Sequence, residues 1–143
     1  MRIIKQGKIM VQKTNKGSRV FIKPSDGELR ILNVLWKNGP STVRNVFEQL
    51  GKKTGVGYTT ILKYLQTMHE KGLVSRDESA RSHVYSPNLS RDEAQEQIVG
   101  ELLDTVFDGS RKRLVMRILS QTKASPQELA DIRKIITQME KEG

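Results

Sequence analysis

Four glycines, Gly39, Gly51, Gly57 and Gly72, cut the stretch between Ser25 and Val74 into three amphipathic segments. Isolated helices shorter than about 12–15 residues are marginal in water, so segments of this size must pack on one another. Ser25-Asp26-Gly27-Glu28 is a capping box that predicts the start of the first helix. Leu29, Leu32, Leu35 and Trp36 recur at helical spacing, and Asn38-Gly39-Pro40 ends the run, with Gly expected as a left-handed cap. A second helix is predicted from Ser41 or Thr42, because Val43, Val46, Phe47 and Leu50 fall at i, i+3, i+4 and i+7. Gly51 is expected to close it, leaving 52–57 as a turn. The third helix is predicted from about Tyr58 to Lys71. Ile61, Leu62, Leu65 and Met68 cluster on one side, and Thr59, Thr60, Lys63, Gln66 and Thr67 lie on the other. Beyond Gly72, the stretches Leu73–Arg76 and His83–Ser86 flank a polar turn and predict a small hairpin with Arg81 at its tip.

The rear of the chain reads as helix throughout. A second capping box, Ser90-Arg91-Asp92-Glu93, opens a long segment with Ala94, Ile98, Val99, Leu102, Leu103, Val106 and Phe107 on a wide apolar face. Asp108-Gly109-Ser110 breaks it, and a short segment with Leu114, Val115, Ile118 and Leu119 follows. Ser125-Pro126-Gln127-Glu128 is a third capping box, with Pro at its favoured first position. Leu129, Ile132, Ile136 and Met139 then keep helical steps. The expected class is mostly α with a small β-hairpin. The expected division is a flexible basic arm at 1–23, a winged helix-turn-helix at 24–88 and a helical dimerisation region at 89–143.

The net charge of +9 is unevenly spread. Residues 1–23 carry seven Lys/Arg and no acid, whereas 88–143 carry nine basic residues against ten acidic ones. Polyanions are therefore expected to meet the front of the chain. Cysteine is absent, which excludes disulfides and thiol chemistry. No apolar run approaches the length of a membrane span, and the basic start lacks the apolar stretch of a secretory signal, so a cytoplasmic location without membrane insertion is expected. His69 and His83 are the only histidines and have no ligand-spaced partner, so neither a metal nor another cofactor is expected. No HExxH, Gly-rich phosphate loop or GxSxG occurs, and the carboxylate pairs fall in caps and turns. No catalytic residue is expected.

Helix, helix, helix, hairpin is the order of a winged helix-turn-helix, whose third helix enters the major groove. Small hydroxyls near its start reach phosphates, base edges or a thymine methyl, and Lys63 adds a cation. Residue by residue, capping explains Thr59-Thr60 and a solvated face explains Lys63. The ordered set favours DNA.

These residues resemble the BlaI/MecI family of penicillinase repressors over about Pro24 to Met139. The resemblance rests on Glu28–Trp36, Gly39-Pro40 with Thr42-Val43-Arg44, Gly57-Tyr58-Thr59-Thr60, Met68–Val74, Arg81–Tyr85 and Val99–Leu103. It implies a dimeric repressor on inverted-repeat double-stranded DNA operators upstream of antibiotic-resistance or stress genes. The candidate contacts are Thr42, Tyr58, Thr59, Thr60, Lys63, Thr67 and, in the wing, Arg81. It implies dimerisation through the rear helices, with Ile98, Leu102, Leu103, Val106, Phe107, Ile132, Ile136 and Met139 as candidates. It also implies a membrane metallopeptidase sensor as partner, which triggers cleavage at an Asn-Phe bond in relatives. This sequence has no Asn-Phe pair, and the corresponding place, Val115–Leu119, makes Arg117 and Ile118 the candidate cleavage region. Copper-responsive cousins carry a cysteine cluster that is absent here. The rivals are a DNA-binding regulator with a small-molecule effector and a winged-helix protein-interaction module.

Overall fold

The computed structural model describes residues 2–6, 9–13, 19–21, 23–121 and 123–143. Within the stretch expected to be a flexible basic arm, the backbone of the described residues forms β1 (Arg2–Gln6), β2 (Ile9–Lys13) and β3 (Arg19–Phe21), an antiparallel sheet in the order β1-β2-β3. β-Branched Ile3, Ile4, Ile9, Val11 and Val20 favour extended backbone, and interleaved lysines hide the alternation.

α1 (Asp26–Asn38) starts as its capping box predicts. The Ser25 hydroxyl accepts the Glu28 N–H at 3.3 Å, and Glu28 Oε1 accepts the Ser25 N–H at 2.8 Å. Glu28 is 1% exposed and also receives Lys71 Nζ at 3.1 Å on each oxygen. A buried carboxylate is tolerable only with such partners, so this pair ties the start of α1 to the far end of the third long helix. Gly39 ends α1 at φ +83 and ψ −168, an extended glycine conformation rather than the left-handed helical cap expected. The chain therefore leaves α1 straight and pairs at once as β4 (Ser41–Thr42).

Thr42 caps α2 (Val43–Val46) in a box completed by Asn45. This helix does not stop at Gly51. It runs on through a π-helical stretch, Phe47–Gly51, and α3 (Lys52–Thr54) to Gly55 at φ +76. Gly51 itself is helical at φ −61 and serves space instead. A Cβ there would sit 2.5 Å from Phe47 Cδ1 and 2.8 Å from the Val56 carbonyl oxygen. Gly51→Ala is therefore expected to destabilise the domain by about 1–3 kcal/mol, the usual cost of overpacking, read as a lower urea midpoint at unchanged slope.

α4 (Tyr58–Lys71) has the bounds expected and ends at the left-handed Gly72. β5 (Val74–Asp77) and β6 (Val84–Pro87) form the hairpin. β4 adds a third strand, in the order β4-β6-β5, with Ser41 opposite Tyr85 and Thr42 opposite Val84. A strand of two residues has no periodicity to detect. The core joins Leu32 and Leu35 of α1, Val46 of α2, Ile61, Leu65 and Met68 of α4, and Val74 and Tyr85 of the sheet. Gly27 lets α1 approach closely, since a Cβ there would meet the Tyr64 ring at 2.5 Å.

The boundary expected at residue 88 falls inside this core. Leu89 is 2% and Ala94 1% exposed, and Trp36 Nε1 donates to the Leu89 carbonyl at 2.9 Å. α5 (Arg91–Thr105) begins with the reciprocal Ser90–Glu93 box. The compact units divide after Ile98. In the second unit, Asp108 at φ +49 and Gly109 at φ +77 follow α5. α6 (Arg111–Gln121) and α7 (Pro126–Glu142) complete it. At Ser125 only half of the expected box forms, with the hydroxyl accepting the Glu128 N–H at 3.1 Å. Among the described residues no helix is long and apolar enough to cross a membrane.

Candidate nucleic-acid interface

Burial of Ile61, Leu65 and Met68 turns the opposite side of α4 to solvent. Thr59, Lys63, Gln66 and Glu70 follow at steps of three and four and form the centre of that face, with Thr60 and Thr67 beside them. Thr59, Thr60, Gln66 and Thr67 are exposed. Capping does not account for the threonines. The N-cap is Gly57, it makes no side-chain bond, and no hydrogen bond of the Thr59 or Thr60 hydroxyl occurs among the described residues. The first turn also carries no acid, so the positive end of the helix dipole and its free amides remain available to an anion.

Tyr58 is 43% exposed and meets Phe47 edge-on, with ring centroids 5.9 Å apart and planes at 70°. That contact fixes the entry to α4 against the π-helical stretch. A crevice of about 400 Å³ runs between α4 and the wing, bordered by Thr42, Arg44, Tyr58, Gln66, Arg76 and Arg81. A second, of about 290 Å³, lies on the other flank, bordered by Ser25, Thr60, Lys63, Tyr64, Thr67 and Lys71. The exposed face of α4 is thus a ridge between two crevices that contain cations.

The wing is braced by its own side chains. Arg76 Nη2 lies 2.8 Å from Glu78 Oε1, and the Tyr85 hydroxyl and Glu78 raise the guanidinium pKa above its ordinary value. The Ser79 N–H donates to Asp77 Oδ1 at 2.9 Å and holds that carboxyl below the usual carboxylate range. Its contribution to the turn is present above that range and is lost as pH falls through the lowered value.

Thr59, Thr60, Lys63 and Thr67 share the ridge, while Tyr58 and Arg81 border the wing crevice. Thr42 is differently engaged: its hydroxyl donates to Asn45 Oδ1 at 2.9 Å and accepts the Asn45 N–H at 3.1 Å. Its one proton is spent on the cap of α2. Gln66, Arg44 and Arg76 join the site, although none of them is among the contacts expected from sequence. Gln66 is visible there on the polar face of the helix, whereas Arg76 reads as an ordinary strand residue. His69 and His83 are half-buried, and no cluster of three or more metal-ligating side chains occurs among the described residues.

In the second unit, Leu102, Val106, Ile136 and Met139 are exposed, with Val106 at 66% and Met139 at 65%. Ile98, at the end of the first unit, and Leu103, Phe107 and Ile132 are half-buried. Leu114 alone is buried among the described residues from 99 onward. Arg117 and Ile118 sit exposed within α6.

A family model described as "Penicillinase repressor" matches residues 24–138. The transcriptional regulator BlaI of Mycobacterium tuberculosis is 30% identical over 117 residues, covering 80% of this chain and 83% of that protein. The penicillinase repressor of Bacillus licheniformis is 25% identical over 112 residues, covering 78% and 88%. Among solved structures, the monomeric form of Bacillus licheniformis BlaI in complex with the blaP half-operator is 28% identical. It covers 50% of this chain and 88% of that one, with a TM-score of 0.45.

Proposed function

Because this chain belongs to the penicillinase repressor family of DNA-binding transcriptional repressors, we propose that it acts as a homodimer on inverted-repeat operators, with α4 as the reader. The genes controlled are antibiotic-resistance or stress genes, and the protein works in the cytoplasm. The observation that carries this reading is the ridge of α4, where Thr59, Thr60, Gln66 and Thr67 are exposed and unoccupied by capping, with Lys63 among them. Such side chains suit base edges and phosphates, and an uncapped helix start suits a phosphate. An interaction module would instead present an apolar or acidic surface there.

The second subunit is supported by the rear helices. Eleven large apolar side chains from Val99 to Met139 are at least 37% exposed, although Leu114 is the one buried residue among those described in that unit. Helices that bury so little of their own apolar surface call for a partner. A metallopeptidase sensor would find Arg117 and Ile118 exposed but helical, in a chain without the Asn-Phe bond. Selection of genomic fragments by the purified protein, followed by footprinting, tests the reading. Protection of two half-sites related by dyad symmetry, their centres about one helical turn or a multiple of it apart, is the expected result. Uniform retention of all fragments contradicts it.

The wing makes a separate prediction. Arg81 is exposed at the hairpin and borders the crevice beside α4. Arg81→Ala is expected to weaken binding to operator and random DNA alike, and to flatten the slope of log K against log salt by about 0.9 per subunit. Electrophoretic mobility shifts between about 50 and 200 mM salt, the range over which such slopes are read, check it.

A further inference from the structure

We propose that the crevice between α4 and the wing is a binding site for a small phosphate-bearing molecule, and that its occupation and operator binding exclude one another. The exclusion rests on the DNA-binding reading above, whereas the site itself stands on its own residues.

The first observation is a convergence of cations without acids. Arg44 comes from α2, Arg76 from β5 and Arg81 from the hairpin turn, and all three border one space of about 400 Å³. Ser82 and His83 add a hydroxyl and an imidazole, and no Asp or Glu borders the space. Arg44 and Arg81 are exposed and make no ion pair among the described residues. Two uncompensated guanidiniums beside a third favour a multiply charged anion, and the guanidinium fork matches phosphate oxygens in pairs.

The second observation is that Arg76 is held in advance. The register of β5 and β6 sets it opposite Tyr85, whose hydroxyl lies beside the guanidinium, and Glu78 Oε1 holds Nη2 at 2.8 Å. Its Nε is nevertheless buried without a hydrogen-bond partner. A guanidinium has more N–H donors than these two neighbours take, and a buried donor left over calls for an acceptor. The third observation is the apolar wall that Val43, Leu62 and the Tyr58 ring supply. Small-molecule sites of roughly 300–1,000 Å³ combine such walls with a few convergent polar groups. The wall favours a free molecule with a carbon skeleton over a backbone phosphate of duplex DNA, the other source of the same chemistry. Exposed Gln66 and Arg81 border the crevice beside the ridge of α4. DNA seated on that ridge covers the crevice, and guanidiniums neutralised by a bound anion no longer serve its phosphates.

The test measures binding of phenyl phosphate to the full-length protein by equilibrium dialysis, first without DNA. One molecule per chain is expected. Arg44→Gln with Arg81→Gln should weaken it at least about 10-fold, the equivalent of one charge-assisted hydrogen bond. Lys52→Gln with Lys53→Gln removes the same charge from exposed positions of α3 outside the crevice and should bind like the parent protein. Operator binding is then followed in sodium phenyl phosphate and in sodium chloride at equal sodium, which holds the counterion term constant. At ten times its Kd the ligand should raise the apparent operator Kd about 11-fold per subunit beyond chloride. No binding by the parent protein, or equal weakening in both variants, overturns the site. No binding by the parent together with weaker operator binding by Arg44→Gln gives the guanidiniums to the DNA backbone instead. Binding in the crevice without any effect on the operator overturns the exclusion. Absence of operator preference in the parent removes the premise of the exclusion alone, and dialysis still decides the site.

Discussion

A chain cut after Ile98 is expected to stay folded and to bind a full operator about 100- to 10,000-fold more weakly than the intact protein, because linked half-site binding is abolished. The cut spares Leu89 and Ala94, which close the winged-helix core, and the Trp36–Leu89 hydrogen bond. It removes the exposed apolar set from Val99 onward, including Val106, Ile136 and Met139. Sedimentation should report a monomer, and affinity for a single half-site should change little. A truncated protein that still sediments as a dimer would move the interface into the winged helix. A cut at residue 88 would be a poorer test, since it deletes two core side chains and confounds folding with assembly.

The second large effect is expected from the ridge of α4. Thr60→Ala with Lys63→Ala should cost on the order of 1–3 kcal/mol for each good base interaction removed, or roughly 5- to 150-fold in operator affinity apiece. Neither side chain makes an ion pair or hydrogen bond among the described residues, and neither is buried, so the melting temperature should stay within about a degree or two of the parent. Affinity for random DNA should fall much less, because only the lysine contributes to the nonspecific term. A matched fall on both DNAs would assign Lys63 to a phosphate and make Thr60 a bystander.

The long elements are legible in the sequence because their signals are local. Ser25 and Ser90 announce helix starts through side chains three residues apart, and the apolar steps from Ile61 to Met68 mark the buried face of α4. What escapes is set by contacts distant in sequence. Gly51 looks like a helix stop, yet it stays helical because Phe47 and the Val56 carbonyl need the space that a Cβ would take. β4 exists because Ser41 and Thr42 find Tyr85 and Val84, far along the chain. Leu89 belongs to the core through Trp36, a partnership no window of sequence displays. In the site, the placement of Thr59, Thr60, Lys63 and Thr67 on one face follows from helical geometry. The position of Thr42 does not, since its hydroxyl serves Asn45, and Arg76 enters only once the hairpin folds beside α4.

The role proposed for α4 is to read bases. Its most direct test is a matrix of affinities for every single-base variant of one half-site, measured with the parent protein and with Thr60→Ala. If Thr60 touches a base, preference at one position should collapse by about 1–3 kcal/mol while the other positions keep their pattern. A uniformly scaled matrix, with every preference retained in the variant, would contradict the account and assign this part of α4 to the backbone alone.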